Sequence, residues 1–249
     1  MPNAAPHTML TGSSTEAGHI SARLGALASP EVAAIQQGFF KTGVGEYGEG
    51  DIFLGIKVPV LRALAREYRD TSIEVIGELL ASGFHEERLF ALLLLMQRYQ
   101  RGSDVDKTSC YELYLNHTHR INNWDLVDVS APHIVGRHLA DQPRDRLYAL
   151  AASPSLWERR IAIIATFHFI RLDQFDDTLR LATLLCDDRH DLMQKAVGWM
   201  LREVGKRNLA AEESFLLPRQ RTLPRTLLRY AIERFPEARR QRYLRGDAT

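Results

Sequence analysis

Residues 122–133 read NNWDLVDVSAPH and lie midway along a series of apolar helical segments. Trp124 and Asp128 are four residues apart, so a helix places them on the same face. An ionised carboxylate beside an aromatic ring, on a face that is otherwise packed, is costly to desolvate unless a cation pairs with it. Asp128 therefore has two interpretations. A structural ion pair with a neighbouring arginine is the commoner case for a lone helical Asp, and a functional acid is the alternative.

Similar segments recur along the chain at regular intervals. Equivalent positions in five of them are separated by 37, 35, 35 and 30 residues. These positions are Arg88, Asp125, Arg160, Lys195 and Arg225. A period of this length, with two helices in each unit, is typical of HEAT-like solenoids. Because no run of alternating residues or hairpin signal is found, we predict an all-α fold, a curved α-solenoid of HEAT-like helical repeats with a concave groove.

The repeat register makes the central segment unusual. Three residues after each of the five equivalent positions, four repeats have a small or aliphatic residue, whereas the central one has Asp128. Arg160 and Lys195 stand in the next two repeats. The three tryptophans occupy equivalent segments, namely Trp124, Trp157 and Trp199. A single tryptophan belongs to a core more often than to a binding site, but three beside charged residues favour a shared groove.

Composition limits the class of protein. Of the 249 residues, 45% are apolar and 25% are charged, as in ordinary globular proteins. The longest apolar run is too short to span a bilayer, and no secretory signal is visible at the N-terminus. Cys110 and Cys186 stand alone in helical patterns, which fits a reducing compartment rather than a disulfide framework. We expect a cytoplasmic protein, associated with the nucleoid in a bacterium, with no membrane contact.

The domain organisation follows from composition and from the positions of glycine residues. Residues 1–30 are small and polar and predict a flexible leader. Residues 31–249 then form a single HEAT-like repeat domain with basic C-terminal helices. Within it, four glycines in residues 43–50 predict a loop between two helices. A sharper alternative is a loop whose backbone approaches a ligand, with Lys41 and Tyr47 as contacts.

Charge is distributed unevenly. The formal net charge is +1, yet from Lys206 onward there are eleven Lys/Arg and five Asp/Glu. A basic C-terminal region is compatible with a polyanionic partner, although charged helical surfaces are common without one. Charge by itself therefore leaves nucleic-acid binding open.

Four motifs in order give a family resemblance. They are Phe53-Leu54-Gly55-Ile56 followed by Pro59, Trp124-Asp125-Leu126-Val127-Asp128, Trp157-Glu158-Arg159-Arg160, and the stretch from Gln194 to Glu203. With the repeat spacing, they resemble the AlkD-like DNA alkylation repair proteins, which are HEAT-repeat DNA glycosylases, over about residues 39–234. The resemblance implies excision of cationic N3- and N7-alkylated purines, such as 3-methyladenine and 7-methylguanine, from double-stranded DNA without flipping of the base.

The resemblance also assigns site residues. The catalytic acid of the family falls on Asp128, its two groove tryptophans fall on Trp124 and Trp199, and its active-site arginine, which contacts the DNA backbone, falls on Arg160. Arg202 matches a further arginine that contacts the backbone. To these DNA-binding candidates we add four residues of the same segments and of the glycine-rich loop: Lys195, Lys41, Arg159 and Trp157.

The expected chemistry needs no cofactor. A purine alkylated at N3 or N7 carries a positive charge and leaves without protonation, so the enzyme has to stabilise the developing oxocarbenium ion and position water. His117, His119 and His133 lack the cysteine partners of a structural zinc site, and we expect no metal. We expect a monomeric, monofunctional glycosylase. The alternative is a HEAT-repeat scaffold that binds DNA or protein without catalysis, since solenoids commonly serve as binding modules.

Overall fold

The structure is a computed structural model that describes residues 15–249. Over this range the protein is helical and has no strand, apart from an isolated bridge between Ile52 and Phe84. The all-α prediction is confirmed. The α-helices are α1 (Glu16–Gly25), α2 (Pro30–Phe39), α3 (Val58–Glu67), α4 (Ile73–Leu80), α5 (His85–Arg101), α6 (Asp104–Asn116), α7 (Trp124–Ser130), α8 (Asp145–Ala151), α9 (Leu156–Ala165), α10 (Phe167–Ile170), α11 (Asp176–Leu185), α12 (Asp191–Gly205), α13 (Leu209–Leu216), α14 (Arg225–Ala231) and α15 (Glu237–Arg245).

Helix α1 lies inside the segment for which the composition predicts a flexible leader, residues 1–30. Residues 1–14 are outside the described range, but residues 16–25 form a packed helix. The Thr15 hydroxyl accepts a hydrogen bond from the Gly18 backbone N–H and caps it. Ile20 and Leu24, four residues apart, are fully buried, and α1 contacts α4. One short apolar stripe is enough to dock a helix whose other residues are polar.

The repeat register corresponds to a set of neighbouring helices. The five equivalent positions of the sequence lie in α5, α7, α9, α12 and α14. Each of these helices contacts the next one in the series. Helices α4, α8 and α11 pack against the members of the series that follow them, α5, α9 and α12, whereas α6 and α13 pack against the members that precede them, α5 and α12. One large apolar core therefore extends along the described chain from α1 to the C-terminus.

Close helix packing explains the residue that replaces Asp128 in a later repeat. Gly198 occupies the equivalent position in α12, where α14 crosses. A Cβ atom at this position would lie 2.4 Å from the carbonyl oxygen of Leu227 and 2.6 Å from the Cβ of Tyr230. Only glycine allows the two helices this approach.

The segment between α2 and α3 contains the predicted glycine-rich loop and a second, tightly held part. Residues 43–50 form successive turns, as predicted. After them, the buried carboxylate of Glu86 accepts hydrogen bonds from the backbone N–H groups of Leu54 and Gly55 at 2.8 Å and of Ile56 at 3.1 Å. Gly55 has a φ of +83°. Glu86, in the first turn of α5, therefore fixes this segment against α5.

Candidate active site

A groove of about 410 Å³ contains the central acid and two of the three tryptophans. Its walls come from the end of α2, from the glycine-rich loop and from helices α7, α9, α12 and α14. The lining residues are Phe39, Tyr47, Trp124, Asp128, Arg160, Leu192, Lys195, Trp199, Arg202 and Tyr230. Residues that are far apart in sequence thus face one space, as the repeat register predicts for its central segments.

Asp128 and Arg160 form a bidentate ion pair in this groove. The Arg160 Nε donates to Asp128 Oδ1 at 2.9 Å, and Nη2 donates to Oδ2 at 2.8 Å. The third nitrogen, Nη1, donates to the carbonyl oxygen of Leu192 at the start of α12. The Arg160 side chain is 6% exposed and that of Asp128 is 17% exposed. The arginine is therefore committed to protein atoms, while the carboxylate keeps an edge open to the groove.

Burial raises the pKa of Asp128 above the value for an ordinary aspartate. The charge and hydrogen bonds of Arg160 oppose this rise, and the nearby carboxylate of Asp125 adds to it. A partly desolvated carboxylate interacts strongly with a cation placed beside it, because little water screens the field.

The Trp124 indole is held by an aromatic cluster. Its ring stacks on Phe40 with centroids 5.3 Å apart and meets Phe39 edge-on at 6.0 Å. Phe40 stacks in turn on Phe53 at 5.0 Å. At the N-terminus of α7, the Asn123 side chain accepts a hydrogen bond from the Trp124 backbone N–H. The cluster fixes the orientation of the indole while leaving the ring partly exposed to the groove.

A buried charged network lies behind Trp124, and sequence reasoning missed it. His85 Nδ1 and Nε2 lie 2.8 Å from Asp51 Oδ2 and Asp125 Oδ2, respectively. Arg88 Nη2 donates to the other oxygen of Asp51 at 2.5 Å. Burial alone would lower the pKa of His85, but the hydrogen bonds and charges of the two aspartates outweigh it and raise this pKa to about 9. His85 is therefore an imidazolium at neutral pH that joins the 51–56 segment to α7.

The second groove tryptophan is anchored at its polar edge. Trp199 Nε1 donates to Glu203 Oε1, one turn later on α12, at 3.0 Å. Its ring centroid lies 6.0 Å from that of Phe167. The indole is partly exposed, so it also offers ring surface to the groove.

A model of the DNA alkylation repair enzyme family matches residues 20–235, which is most of the chain. The protein belongs to the DNA alkylation repair enzyme family. Among solved structures, a predicted DNA alkylation repair enzyme from Enterococcus faecalis is similar, with a TM-score of 0.64 and 20% sequence identity. The alignment covers 84% of this chain and 97% of that one. At this identity the likeness supports the fold alone. No match is found among curated proteins.

The remaining candidate residues of this repair-family protein divide into two groups. Lys195 and Arg202 line the groove, and each already has an acidic partner. Lys195 pairs with Asp191 at 2.6 Å, and Arg202 pairs with Glu233. Trp157, Arg159 and Lys41 are not among the residues that line it.

Trp157, Arg159 and Lys41 lie outside the groove lining, and each has a different environment. Trp157 meets Tyr47 edge-on at 6.2 Å, so it supports a groove residue from outside. Arg159 donates to Asp188 at 2.8 Å and to two backbone carbonyl oxygens, which ties the start of α9 to the segment before α12. Lys41 is exposed at the start of the glycine-rich loop, with a φ of +51°.

Part of the C-terminal positive charge is neutralised locally. Of the cations expected to attract a polyanion, five form ion pairs with nearby acids: Lys206 with Glu203, Arg207 with Asp173, Arg239 with Glu213, Arg240 with Glu237 and Arg245 with Asp247. The net charge of a segment therefore overstates its attraction for DNA. Between residues 15 and 249, no helix is both long and apolar enough to cross a membrane.

Proposed function

We propose that this protein is a monofunctional DNA glycosylase that hydrolyses the N-glycosidic bond of cationic N3- and N7-alkylpurines in duplex DNA, without flipping the base. The observation that carries the proposal is Asp128. This carboxylate lies in a groove between two partly exposed indoles, and an arginine aligns both of its oxygens. Membership of the alkylation repair family supports the same substrate class.

The proposed chemistry follows from the charge of the substrate. A purine alkylated at N7 or N3 is already cationic, so the C1′–N bond breaks as the base leaves neutral, and positive charge develops on the sugar. A fixed carboxylate beside the sugar stabilises that charge more than it stabilises the ground state. Water then adds to C1′, and the proton that it loses passes to the Asp128 carboxylate and from there to bulk water. Asp128 would supply the negative charge and orient this water.

Trp124 and Trp199 would hold the nucleotide from two sides. Aromatic faces attract cations and pack on the apolar side of deoxyribose, and an alkylated nucleotide offers both features. Because their rings are fixed by Phe40 and Glu203, respectively, little side-chain entropy is lost on binding.

The arginine beside the acid would position it. All three guanidinium nitrogens of Arg160 donate to protein oxygens, two of them to Asp128. We therefore propose that Arg160 keeps the Asp128 carboxylate ionised and oriented, and that any contact with the DNA backbone is additional. Lys195 and Arg202 remain the groove cations proposed to contact phosphate, by exchanging their acidic partners for it.

The proposed setting for this site is a HEAT-like solenoid whose concave face receives the duplex. Two observations support it: the repeat spacing near 35 residues and the side-by-side order of α5, α7, α9, α12 and α14. The groove residues lie in the middle members of that series.

The test is release of base from a duplex that contains N7-methylguanine. The wild-type protein should release it, and Asp128→Asn should not. Asp70→Asn, which removes a carboxylate whose side chain is 80% exposed, is the matched control and should behave as wild type. Because Asn can still accept one hydrogen bond from Arg160, the variant is expected to fold, and circular dichroism checks this.

The alternative is a DNA-binding scaffold without catalysis. The bidentate pairing of Asp128 with Arg160 favours it, because such a pair is also a common structural feature. Tight binding of duplex DNA with no base release by the wild-type protein, for both N7- and N3-methylated purines, would support the scaffold.

A further inference from the structure

A second cavity, of about 540 Å³, opens between helix α3, helix α5 and the turn that follows α7. Three exposed arginines line it: Arg62 and Arg66 on α3, and Arg137 just after that turn. The other polar lining comes from His133 and two glutamines of α5, and no acidic side chain is among the lining residues. The cavity is therefore rich in hydrogen-bond donors and in positive charge.

These three arginines have no acidic partner in the part of the chain that the structure describes. Within residues 15–249, the ion pairs involve neither Arg62 nor Arg66 nor Arg137, whereas five of the eleven cations from Lys206 onward are paired with acids. The Arg137 guanidinium lies 5.9 Å from the ring of Tyr99, and it also borders an adjoining cavity that Asp104 and Asp141 line, without forming an ion pair with either. Arginines that converge without acids form a field that attracts anions.

Neighbouring histidines already respond to this field. Burial lowers the pKa of His133, and the charges of Arg171, Arg137 and Arg62 lower it further. Burial and the charges of Arg137 and Arg171 lower the pKa of His168 in the same way. Burial is the largest cause of both shifts, and the arginine charges act in the same direction.

The cavity lies close along the chain to the segment that carries Asp128. Arg137 follows Asp128 by nine residues along nearly continuous helical turns. At 1.5 Å per residue this is about 14 Å, the length of about four base steps at 3.4 Å each. A bound duplex of about 20 base pairs, at 3.4 Å per step, is several times longer than this separation.

We propose that Arg62, Arg66 and Arg137 form a phosphate-binding site, separate from the groove at Asp128, that holds the sugar-phosphate backbone of the bound duplex. Guanidinium groups match phosphate oxygens bidentately, and the two glutamines of α5 add neutral donors. That the phosphate comes from duplex DNA rests on the proposed function. The cationic cavity itself does not depend on it.

The experiment measures the binding of an undamaged duplex of about 20 base pairs by fluorescence anisotropy over a series of salt concentrations. The variants are Arg62→Gln, Arg66→Gln, Arg137→Gln and the triple combination. Each phosphate contact contributes about 0.9 to the magnitude of the slope of log K against log salt. The triple variant should therefore have a slope smaller in magnitude by about 2 to 3, and its affinity for the duplex should be roughly 10-fold or more weaker. The control is Arg23→Gln, an exposed arginine of α1 that lines no part of this cavity, and it should match wild type.

Three outcomes decide the matter. A triple variant with the slope and affinity of Arg23→Gln would overturn the site. A thermal shift with pyrophosphate that is present in the wild type and absent in the triple variant, with unchanged DNA binding, would overturn the duplex as the source of the phosphate. The expected reduction in slope supports the site whether or not the protein excises N7-methylguanine, whereas loss of excision in Asp128→Asn with an unchanged slope bears only on the glycosylase. Because the three arginines are exposed, the variants should fold. Each single variant should reduce the magnitude of the slope of log K against log salt by about 1.

Discussion

Arg160 holds Asp128 through two parallel hydrogen bonds, Nε to Oδ1 at 2.9 Å and Nη2 to Oδ2 at 2.8 Å, across 32 positions of the sequence. The pair joins α7 to α9, two neighbouring members of the repeat series, and a third bond extends it to the start of α12. One arginine thus fixes the orientation of the acid, counters the effect of burial on its pKa and connects three helices that line the groove.

Replacement of Arg160 should affect the rate more than the binding of substrate. Arg160→Lys keeps the charge but removes the parallel hydrogen bonds, so the carboxylate loses its fixed orientation. We expect the single-turnover rate of excision at saturating protein to fall by roughly 100-fold, the scale on which small misplacements act. An unchanged rate with weaker DNA binding would show that Arg160 serves the phosphate backbone instead.

The pH dependence of excision should report Asp128. Because burial raises the pKa of Asp128 above the ordinary value of 3.8, the carboxylate becomes protonated, and activity is lost, as the pH falls through a midpoint above 3.8. Removal of the favourable charge in Arg160→Gln should move this midpoint to still higher pH. The measurement is the single-turnover rate against pH, corrected for spontaneous depurination. A rate that does not change on the acid side would contradict the role of an ionised Asp128.

His85 should make folding stability depend on alkaline pH. Its pKa is raised to about 9 in the folded protein from an ordinary value of 6.5, so its contribution is fully present below pH 6.5 and is lost as the pH rises through about 9. A shift of this size corresponds to roughly 3 kcal/mol of unfolding free energy. Urea unfolding of wild type at pH 6 and pH 10 should show that loss, and His85→Gln should show little of it. Parallel pH profiles for the two proteins would count against a charged His85.

Gly198→Ala should destabilise the packing of α12 on α14. Its Cβ would lie 2.4 Å from a backbone oxygen that cannot move without displacing α14, so we expect a loss of about 2 kcal/mol or more and a lower melting temperature. Gly38→Ala is the matched control, because Gly38 is an exposed helical glycine with no atom within 4 Å of the added Cβ. It should leave stability unchanged or raise it by up to about 1 kcal/mol. Equal melting temperatures for the two variants would show that α14 adjusts.

The sequence predicts the features of this protein that depend on local periodicity. Helical spacing and the repeat register identify the series of helices, and they predict one groove for Asp128, Trp124 and Trp199. They also predict Trp157 in that groove, which it does not line. The network around His85 could not be found in this way, because its two aspartates are 34 and 40 residues away and pair only after the chain has folded. Net charge likewise cannot separate the paired C-terminal arginines from the unpaired arginines of the second cavity. Helix α1 was missed because only three of its residues are buried.

The most direct test of the central claim is release of N7-methylguanine from duplex DNA by wild type, Asp128→Asn and the control Asp70→Asn, at equal and saturating protein. Release by wild type and by Asp70→Asn, with at least a 100-fold lower rate for Asp128→Asn, is the result that we predict. Release by Asp128→Asn at the wild-type rate would contradict the assignment of Asp128 as the catalytic carboxylate of this groove.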